Sequence, residues 1–227
     1  MKTVALIVAA GRGVRFGGDV PKQFRHIMEK PLLSWTIEQF EKAASIDDIV
    51  VVVAEEALLF TNEKIVNPFA FSKVRLLVKG GATRRESVCR GLKALPISTN
   101  FVAIHDGARP LIDHADIDRV VDAARKDRAA ILARPISSTV KRVEGDYIIS
   151  TLDRTKLYLA ETPQVFQYDL IMNAHEKTAS DSEITDDACM IEMMGFKVRR
   201  VIPKSINIKI TTEEDLIIAG LIIGIRA

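Results

Sequence analysis

Five short runs of this chain are apolar or nearly so throughout: VALIV at 4–8, IVVVV at 49–53, VRLLV at 74–78, FVAIH at 101–105 and AAILA at 129–133. Runs of this length without polar alternation are what strands look like when both faces are covered. Helix-length stretches separate them. Leu33, Ile37 and Phe40 recur at helical spacing, with Glu38, Glu41 and Lys42 outside them. A mixed helical segment breaks near Asn67-Pro68. Thr83 and Glu86 fit a capping box ahead of Val88, Leu92 and Leu95. Asp113 with Asp116 marks another helix start, and Ile117, Val120, Val121 and Ala124 form its buried face. The alternation predicts an α/β protein of three layers, a mostly parallel sheet with helices on both faces. In such sheets ligands bind beyond the carboxyl ends of the strands.

The rhythm breaks at 137–155. Thr139 to Arg142, the turn Glu144-Gly145-Asp146, and Tyr147 to Ser150 read as a protruding β-hairpin. A small hairpin cannot bury both its faces alone, so it docks either on a twofold partner, as a dimerisation arm, or on its own subunit. Beyond it come TPQVF, a helix near 168–178, a helix over ITDDACMIEMMG, a strand at KVRRVI and a short edge-like strand at NIKIT. TTEED opens the last helix, with Thr212 and Asp215 as a second capping box. The run LIIAGLIIGI that follows is shorter than the roughly 20 residues of a bilayer span, and is expected to be a buried terminal helix. No repeat, low-complexity tract or linker divides residues 1–227, which read as a single domain.

At 48% hydrophobic and 27% charged residues the chain is expected to fold as a soluble protein. Lys and Arg total 32 against 30 Asp and Glu, a formal charge of +2. That balance disfavours a general nucleic-acid surface but leaves room for a compact anionic ligand held by a local cluster. Cys89 and Cys189 are the only cysteines, so neither a disulfide scaffold nor a cysteine metal site is implied. The first strand starts at once, without a basic leader, and the expected location is cytoplasmic.

The exit of the first strand carries AAGRGVRFGGDVPKQ. Gly11, Gly13, Gly17 and Gly18 permit tight turns and close approach of backbone amides to an anion, or simply a structural turn. The spacing is not that of a GxxxxGK[ST] phosphate loop, nor of GxGxxG, because Arg15 and Phe16 stand where the last glycine belongs. Arg12, Arg15, Lys22 and Arg25 concentrate positive charge here, with Pro21 restricting the backbone before Lys22. The alternatives are a solvated charged loop or a polyphosphate site, where mobile lysine and forked arginine meet equatorial charge on a reacting phosphorus.

Asp106, in HDGARP at the end of a strand, faces the same sheet edge and suits a divalent cation held against phosphates. A lone His105 beside it is no metal cluster. Arg109 either supports the loop by pairing with carboxylates or contacts a ligand. By spacing alone Lys209 reads as a solvated edge residue, and Lys141, Arg154 and Thr185 are equally unremarkable.

The segments AAGRGVRFGGDVPKQF, GGATRRESV, HDGARP, LDRTKLYLAETPQVF, ITDDA and NIKITTEEDL, in that order and spacing, resemble the 2-C-methyl-D-erythritol 4-phosphate cytidylyltransferases of the non-mevalonate isoprenoid pathway from end to end. The resemblance implies a fold of the nucleotide-diphosphosugar-transferase (Rossmann-like) type. It also implies transfer of CMP from CTP to methylerythritol phosphate with release of pyrophosphate, supported by Mg²⁺ or another divalent cation. It matches Arg15 and Lys22 to the pair gripping the triphosphate, Ala9, Ala10 and Gly11 to backbone contacts with CTP, and Gly81, Ala82 and Ser87 to the segment reading cytosine and ribose. It matches Asp106 to a carboxylate near metal and triphosphate, and Lys209 to a late lysine reaching back to the reacting phosphates. Arg154 and Thr185 match positions holding the acceptor, Arg154 from the arm of a homodimer partner. Where some members carry an acidic residue after the paired glycines, this chain has Ala82, which leaves only backbone contact there. Ribitol 5-phosphate (pentitol-phosphate) cytidylyltransferases share the loop, the DxxRP type of segment and TPQ, and are the nearest alternative. An inactive nucleotide-binding protein would keep the fold but lose one of Arg15, Lys22, Asp106 or Lys209, and all are present.

Overall fold

The alternation read from the sequence becomes one seven-stranded sheet in the computed structural model, which describes residues 1–11, 21–178 and 184–226. Along the chain run β1 (Thr3–Val8), a small pair β2 (His26–Ile27) and β3 (Lys30–Pro31), α1 (Leu32–Lys42), β4 (Asp48–Val53), α2 (Leu58–Thr61), β5 (Val74–Lys79), α3 (Arg84–Lys93), β6 (Phe101–Asp106), α4 (His114–Asp127) and β7 (Ala129–Pro135). They are followed by β8 (Lys141–Glu144), β9 (Tyr147–Thr151), β10 (Tyr158–Gln167), α5 (Tyr168–Lys177), α6 (Asp187–Met193), β11 (Arg199–Val201) and α7 (Glu213–Arg226). The sheet order is β11-β7-β10-β6-β1-β4-β5. TPQVF falls in β10, which runs antiparallel to both its neighbours, while the other pairs are parallel.

Alternation along β1 divides the core. Val4 and Leu6 face α3, α5 and α6, whereas Ala5 and Ile7 face α1 and α4. Leu33, Ile37 and Phe40 of α1 and Ile117, Val120 and Val121 of α4 are fully buried, as their periodicity requires. The register sets Val8 opposite both Val52 and Asp106, so β1, β4 and β6 release their loops along one edge.

Two expectations are corrected at the C-terminal end. NIKIT joins no strand; the Ile210 amide donates to the Ala108 carbonyl at 2.8 Å, a single bond rather than a ladder. The terminal helix is not buried. Ala219 and Ile223 of α7 are buried and Leu216 and Ile222 half-buried, while Leu221 and Ile225 are 66% and 87% exposed. A helix apolar all round has one side against Ile27, Leu32 and Leu111, and among the described residues nothing covers the other. Its start does follow the expected capping box. The Thr212 hydroxyl accepts from the Asp215 amide, and the Asp215 carboxylate accepts from the Thr211 and Thr212 amides.

The segment before α7 is held by a buried acid. Asp113 caps α4 by accepting from the Ala115 amide, which leaves Asp116 to turn outward from its own helix. Its carboxylate accepts from the Lys204 and Ser205 amides at 2.9 and 2.8 Å and pairs with Arg119 at 2.7 Å. Burial raises its pKa, but these donors overcome that and lower it. Asp116→Ala strands the two amides, and a loss of about 3 kcal/mol in urea unfolding is expected.

Candidate active site

A cavity of about 760 Å³ opens at that edge, where β1, β4, β5 and β6 end. It is lined by Ala9, Ala10 and Gly11 after β1, by Gly80–Arg84 and Ser87 after β5, and by Asp106 and Ala108 after β6. Lys22 and Lys209 reach it from separate parts of the chain. Arg15, with Arg12, Gly13, Gly17 and Gly18, lies outside the described residues.

The chain returns from the glycine-rich loop through Pro21 into a single turn over Lys22–Phe24. The Lys22 ammonium donates to the Ile210 carbonyl at 2.9 Å, next to Lys209. Gln23 is buried and donates its amide to the carbonyls of Ala9 and Gly11 at 2.9 and 3.2 Å, tying the end of the loop to its start. Ala9 also donates its own amide to Val52 at 2.7 Å, so both of its backbone groups hold the loop in place.

The turn before α3 is closed by its own side chains. Thr83 caps the helix through the Glu86 amide. Glu86 reaches one residue further back than a standard capping box and accepts from the Ala82 amide at 2.8 Å. Ser87 accepts from the Gly81 amide at 3.0 Å. Gly80 must be glycine for this turn to lie against the first loop, because a methyl there would collide with that of Ala10.

Asp106 is the hub of the cavity. Its carboxylate meets Lys209 at 2.9 Å and Arg84 at 3.0 Å, with Arg109 at 3.5 Å. Burial pushes its pKa up, but Arg84, Lys209 and Arg109 outweigh that and hold it well below the usual carboxylate range. Arg84 also pairs with Asp187, the first residue of α6, at 2.9 Å. Burial disfavours the Arg84 cation, yet Asp187 and Asp106 raise its pKa further and keep it charged. Arg109 donates to the Asn207 carbonyl at 2.8 Å, and Asn207 in turn donates to Glu161 and to the Thr162 carbonyl. These bonds fix the segment that carries Lys209 although it belongs to no helix or strand.

His105 is fully buried behind the hub. The Arg109 carbonyl, 3.3 Å from Nε2, can only accept, so Nε2 carries the proton and Nδ1 accepts from the Thr162 hydroxyl at 3.1 Å. The same hydroxyl accepts from the Asp106 amide. His105 thus sets the orientation of Asp106 from behind.

The structure brings together Ala9, Ala10, Gly11, Lys22, Gly81, Ala82, Ser87, Asp106 and Lys209 around one cavity. It does not bring Arg154 or Thr185 there. Arg154 lies at the base of the hairpin and donates to the Ser137 carbonyl. Thr185 lines a second cavity of about 400 Å³ with Asp186, Tyr158 and Arg200. Gln23, Arg84, Asp187 and Asn207 escaped the sequence reading. One signal was available for two of them. Arg84 and Arg85 open α3, where the helix dipole disfavours cations, and a positive pair there calls for a carboxylate from elsewhere in the fold.

A family model for 2-C-methyl-D-erythritol 4-phosphate cytidylyltransferase matches residues 3–225. The enzyme of that name from Geotalea uraniireducens is 41% identical over 96% of this chain and 95% of its own length. The Desulforamulus reducens enzyme is 42% identical, covering 95% and 93%. Among solved structures, 4-diphosphocytidyl-2C-methyl-D-erythritol synthase from Anaerococcus prevotii superposes with a TM-score of 0.86, 31% identity and coverage of 98% and 96%. The Thermus thermophilus cytidylyltransferase gives 0.80 at 30% identity, covering 98% of each chain.

The two buried imidazoles make stability depend on pH. Burial lowers the pKa of His105 to about 3 against the pull of Asp106. Burial, with Arg85 and Arg84 nearby, lowers that of His175 to about 4. Above pH ~6.5 the rings are neutral in folded and unfolded chains alike. Below it the unfolded chain takes up protons that the folded one refuses, so stability falls as pH drops from ~6.5 towards 4. Urea unfolding at stepped pH should show this loss, and His175→Gln should make the slope shallower.

Proposed function

We infer the roles of individual residues from one premise: this chain belongs to the 2-C-methyl-D-erythritol 4-phosphate cytidylyltransferase family. It is a nucleotidyltransferase that moves CMP from CTP to 2-C-methyl-D-erythritol 4-phosphate, forming 4-diphosphocytidyl-2-C-methyl-D-erythritol and pyrophosphate. The observation that carries the assignment of roles is the convergence of Lys22, Lys209, Asp106 and the Gly80–Ser87 turn on one cavity at the carboxyl edge of the sheet.

The acceptor's phosphate oxygen attacks the α-phosphorus of CTP. A new phosphorus–oxygen bond forms, the bond to the bridging oxygen breaks, and pyrophosphate leaves with that electron pair. The attacking phosphate is already anionic, so no side chain has to remove a proton. The chain's contribution is alignment and charge. Lys22 and Lys209 approach from opposite ends of the sequence and face the triphosphate, and the family resemblance assigns Arg15 to the same task. Ala10 and Gly11 supply backbone contacts, while Ala9 forms a wall. Because the Gly81 and Ala82 amides are engaged by Ser87 and Glu86, the turn has carbonyl oxygens to offer, which suit the amino group of a cytosine.

A divalent cation such as Mg²⁺ fits this cavity as a companion of the triphosphate. Asp106 is a single carboxylate already engaged by Arg84 and Lys209, and no three His, Cys, Asp or Glu side chains converge among the described residues. Such an ion would neutralise phosphate charge, and Asp106 is the residue that would hold it.

Residues 1–227 act as one domain in this reading, with 137–155 as the arm of a homodimer. Every residue of β8 and β9 is exposed, including Tyr147 at 77% and Ile148 at 65%. An isolated two-stranded hairpin with uncovered apolar residues calls for a partner surface. The arm then carries Arg154 to the neighbour's acceptor, with Thr185 on the receiving chain. Among the described residues no helix is long and apolar enough to cross a membrane. A cytoplasmic location goes with this reading.

Pyrophosphate release with CTP and Mg²⁺ should strongly favour methylerythritol 4-phosphate over ribitol 5-phosphate; preference for ribitol 5-phosphate would overturn the acceptor. Lys22→Ala should lower kcat by about 10²–10³ while thermal unfolding stays cooperative, and wild-type turnover would remove Lys22 from the site. Ile148→Asp should sediment as a monomer. Arg154→Ala should raise the acceptor KM about tenfold with the CTP KM unchanged, and an unaltered acceptor KM would exclude its assigned role.

A further inference from the structure

Arg84 does more than line the cavity. Its Nε meets Asp106 at 3.0 Å and its Nη2 meets Asp187 at 2.9 Å, so one guanidinium spans two carboxylates. Asp187 is 1% exposed. From the cavity inward the contacts run Lys209, Asp106, Arg84, Asp187; burial pushes the Asp187 carboxyl up against the pull of Arg84, and the 2.9 Å contact with that guanidinium is what holds it.

Asp187 is not needed to build α6. Asp186 already caps that helix by accepting from the Cys189 amide at 2.9 Å. Gln164 holds its first turn from the sheet, accepting from the Ala188 amide and donating to Asp186. Ala188, Met190 and Ile191 anchor it in the core. A buried ion pair seldom stabilises a fold more than apolar side chains of the same size would. Its use lies in fixing direction, and the free arm of this pair ends on the carboxylate that holds Lys209.

We propose that Asp187 is a positioning residue for cytidylyl transfer, acting through Arg84 to set the Asp106 carboxylate and, through it, the Lys209 ammonium. Without Asp187 the Arg84 fork has one partner and can rotate about it. Asp106 then loses a fixed orientation, and the Lys209 ammonium follows, since its backbone is pinned independently but its side chain is held by the Asp106 carboxylate at 2.9 Å. The adjoining residues Thr185 and Asp186 line the second cavity, so the same bridge ties the segment before α6 to the nucleotide side. This inference rests on the reaction assigned above, and its test has one arm independent of that reaction.

The test is Asp187→Asn in the full chain. kcat should fall about 10–100-fold, as expected for a misplaced catalytic group, with the CTP KM within about threefold of wild type. Arg84→Gln should behave alike, and the double variant should be no worse than Arg84→Gln alone. Additive losses would mean that Asp187 acts elsewhere and would overturn the proposal. The independent arm is the Lys209 ammonium signal in ¹⁵N-lysine-labelled protein without substrates, assigned by its absence in Lys209→Arg. It should be sharp in wild type and lost to exchange in Asp187→Asn, and an unchanged signal overturns the proposal. If the wild-type chain fails to transfer CMP to methylerythritol phosphate, the assigned reaction falls while the ammonium signal still decides this point. If Asp187→Asn does not fold, Arg84→Lys, which keeps the charge but lacks the fork, gives the same two readings, and wild-type values in both refute it.

Discussion

Asp106 ends β6 with a carboxylate shared by cations from three parts of the chain: Arg84 opening α3, Arg109 in the following turn, and Lys209 from the segment before α7. Almost everything in the site is arranged around that sharing. A buried carboxylate is unfavourable unless donors surround it. Here each donor is a group the reaction can use or a group that holds one. The hub is also supported from behind, by the Asp106 amide on Thr162 and by Thr162 on a buried neutral His105.

The sheet explains why such a hub can exist. Parallel strands in register finish together, and the Val8–Val52 and Val8–Asp106 pairings place three strand exits side by side. Close packing on both faces leaves that edge as the place where backbone and charge can remain unburied. β10 departs from the parallel order but delivers Thr162, Glu161 and Gln164 to the back of the site, where they hold His105, Asn207 and α6. The antiparallel strand acts as a brace for three separate segments.

Lys209 shows how far a functional side chain can lie from any regular element. Its segment is pinned by Asp116 at Lys204 and Ser205, by Arg134 at Ser205, by Asn207 and by the Ile210 amide on Ala108. These bonds come from α4, β7, β10 and the turn after β6. A loop with so many fixed points can present an ammonium as steadily as a strand would, which suits a reaction accelerated by placement of charge. Among the described residues the uncovered apolar faces of the hairpin and of α7 have no such internal partners.

The sequence by itself determined the strand–helix alternation, the parallel sheet, the glycine-rich loop at the exit of β1 and the position of Asp106, because periodicity and turn chemistry are local properties. It also showed the helix caps at Thr83, Asp113 and Thr212. Spacing alone left Lys209 a solvated edge residue in a strand, and it became a candidate only through family resemblance. Neither the residues nor the resemblance pointed to Gln23, Arg84, Asp187 or Asn207. Their roles depend on contacts between residues 12 to 103 positions apart in the sequence, and no local pattern encodes which distant carboxylate a buried cation will find. The apolar terminal run reads as buried by its hydrophobicity alone, whereas burial requires a neighbour, and only the tertiary structure decides where neighbours are.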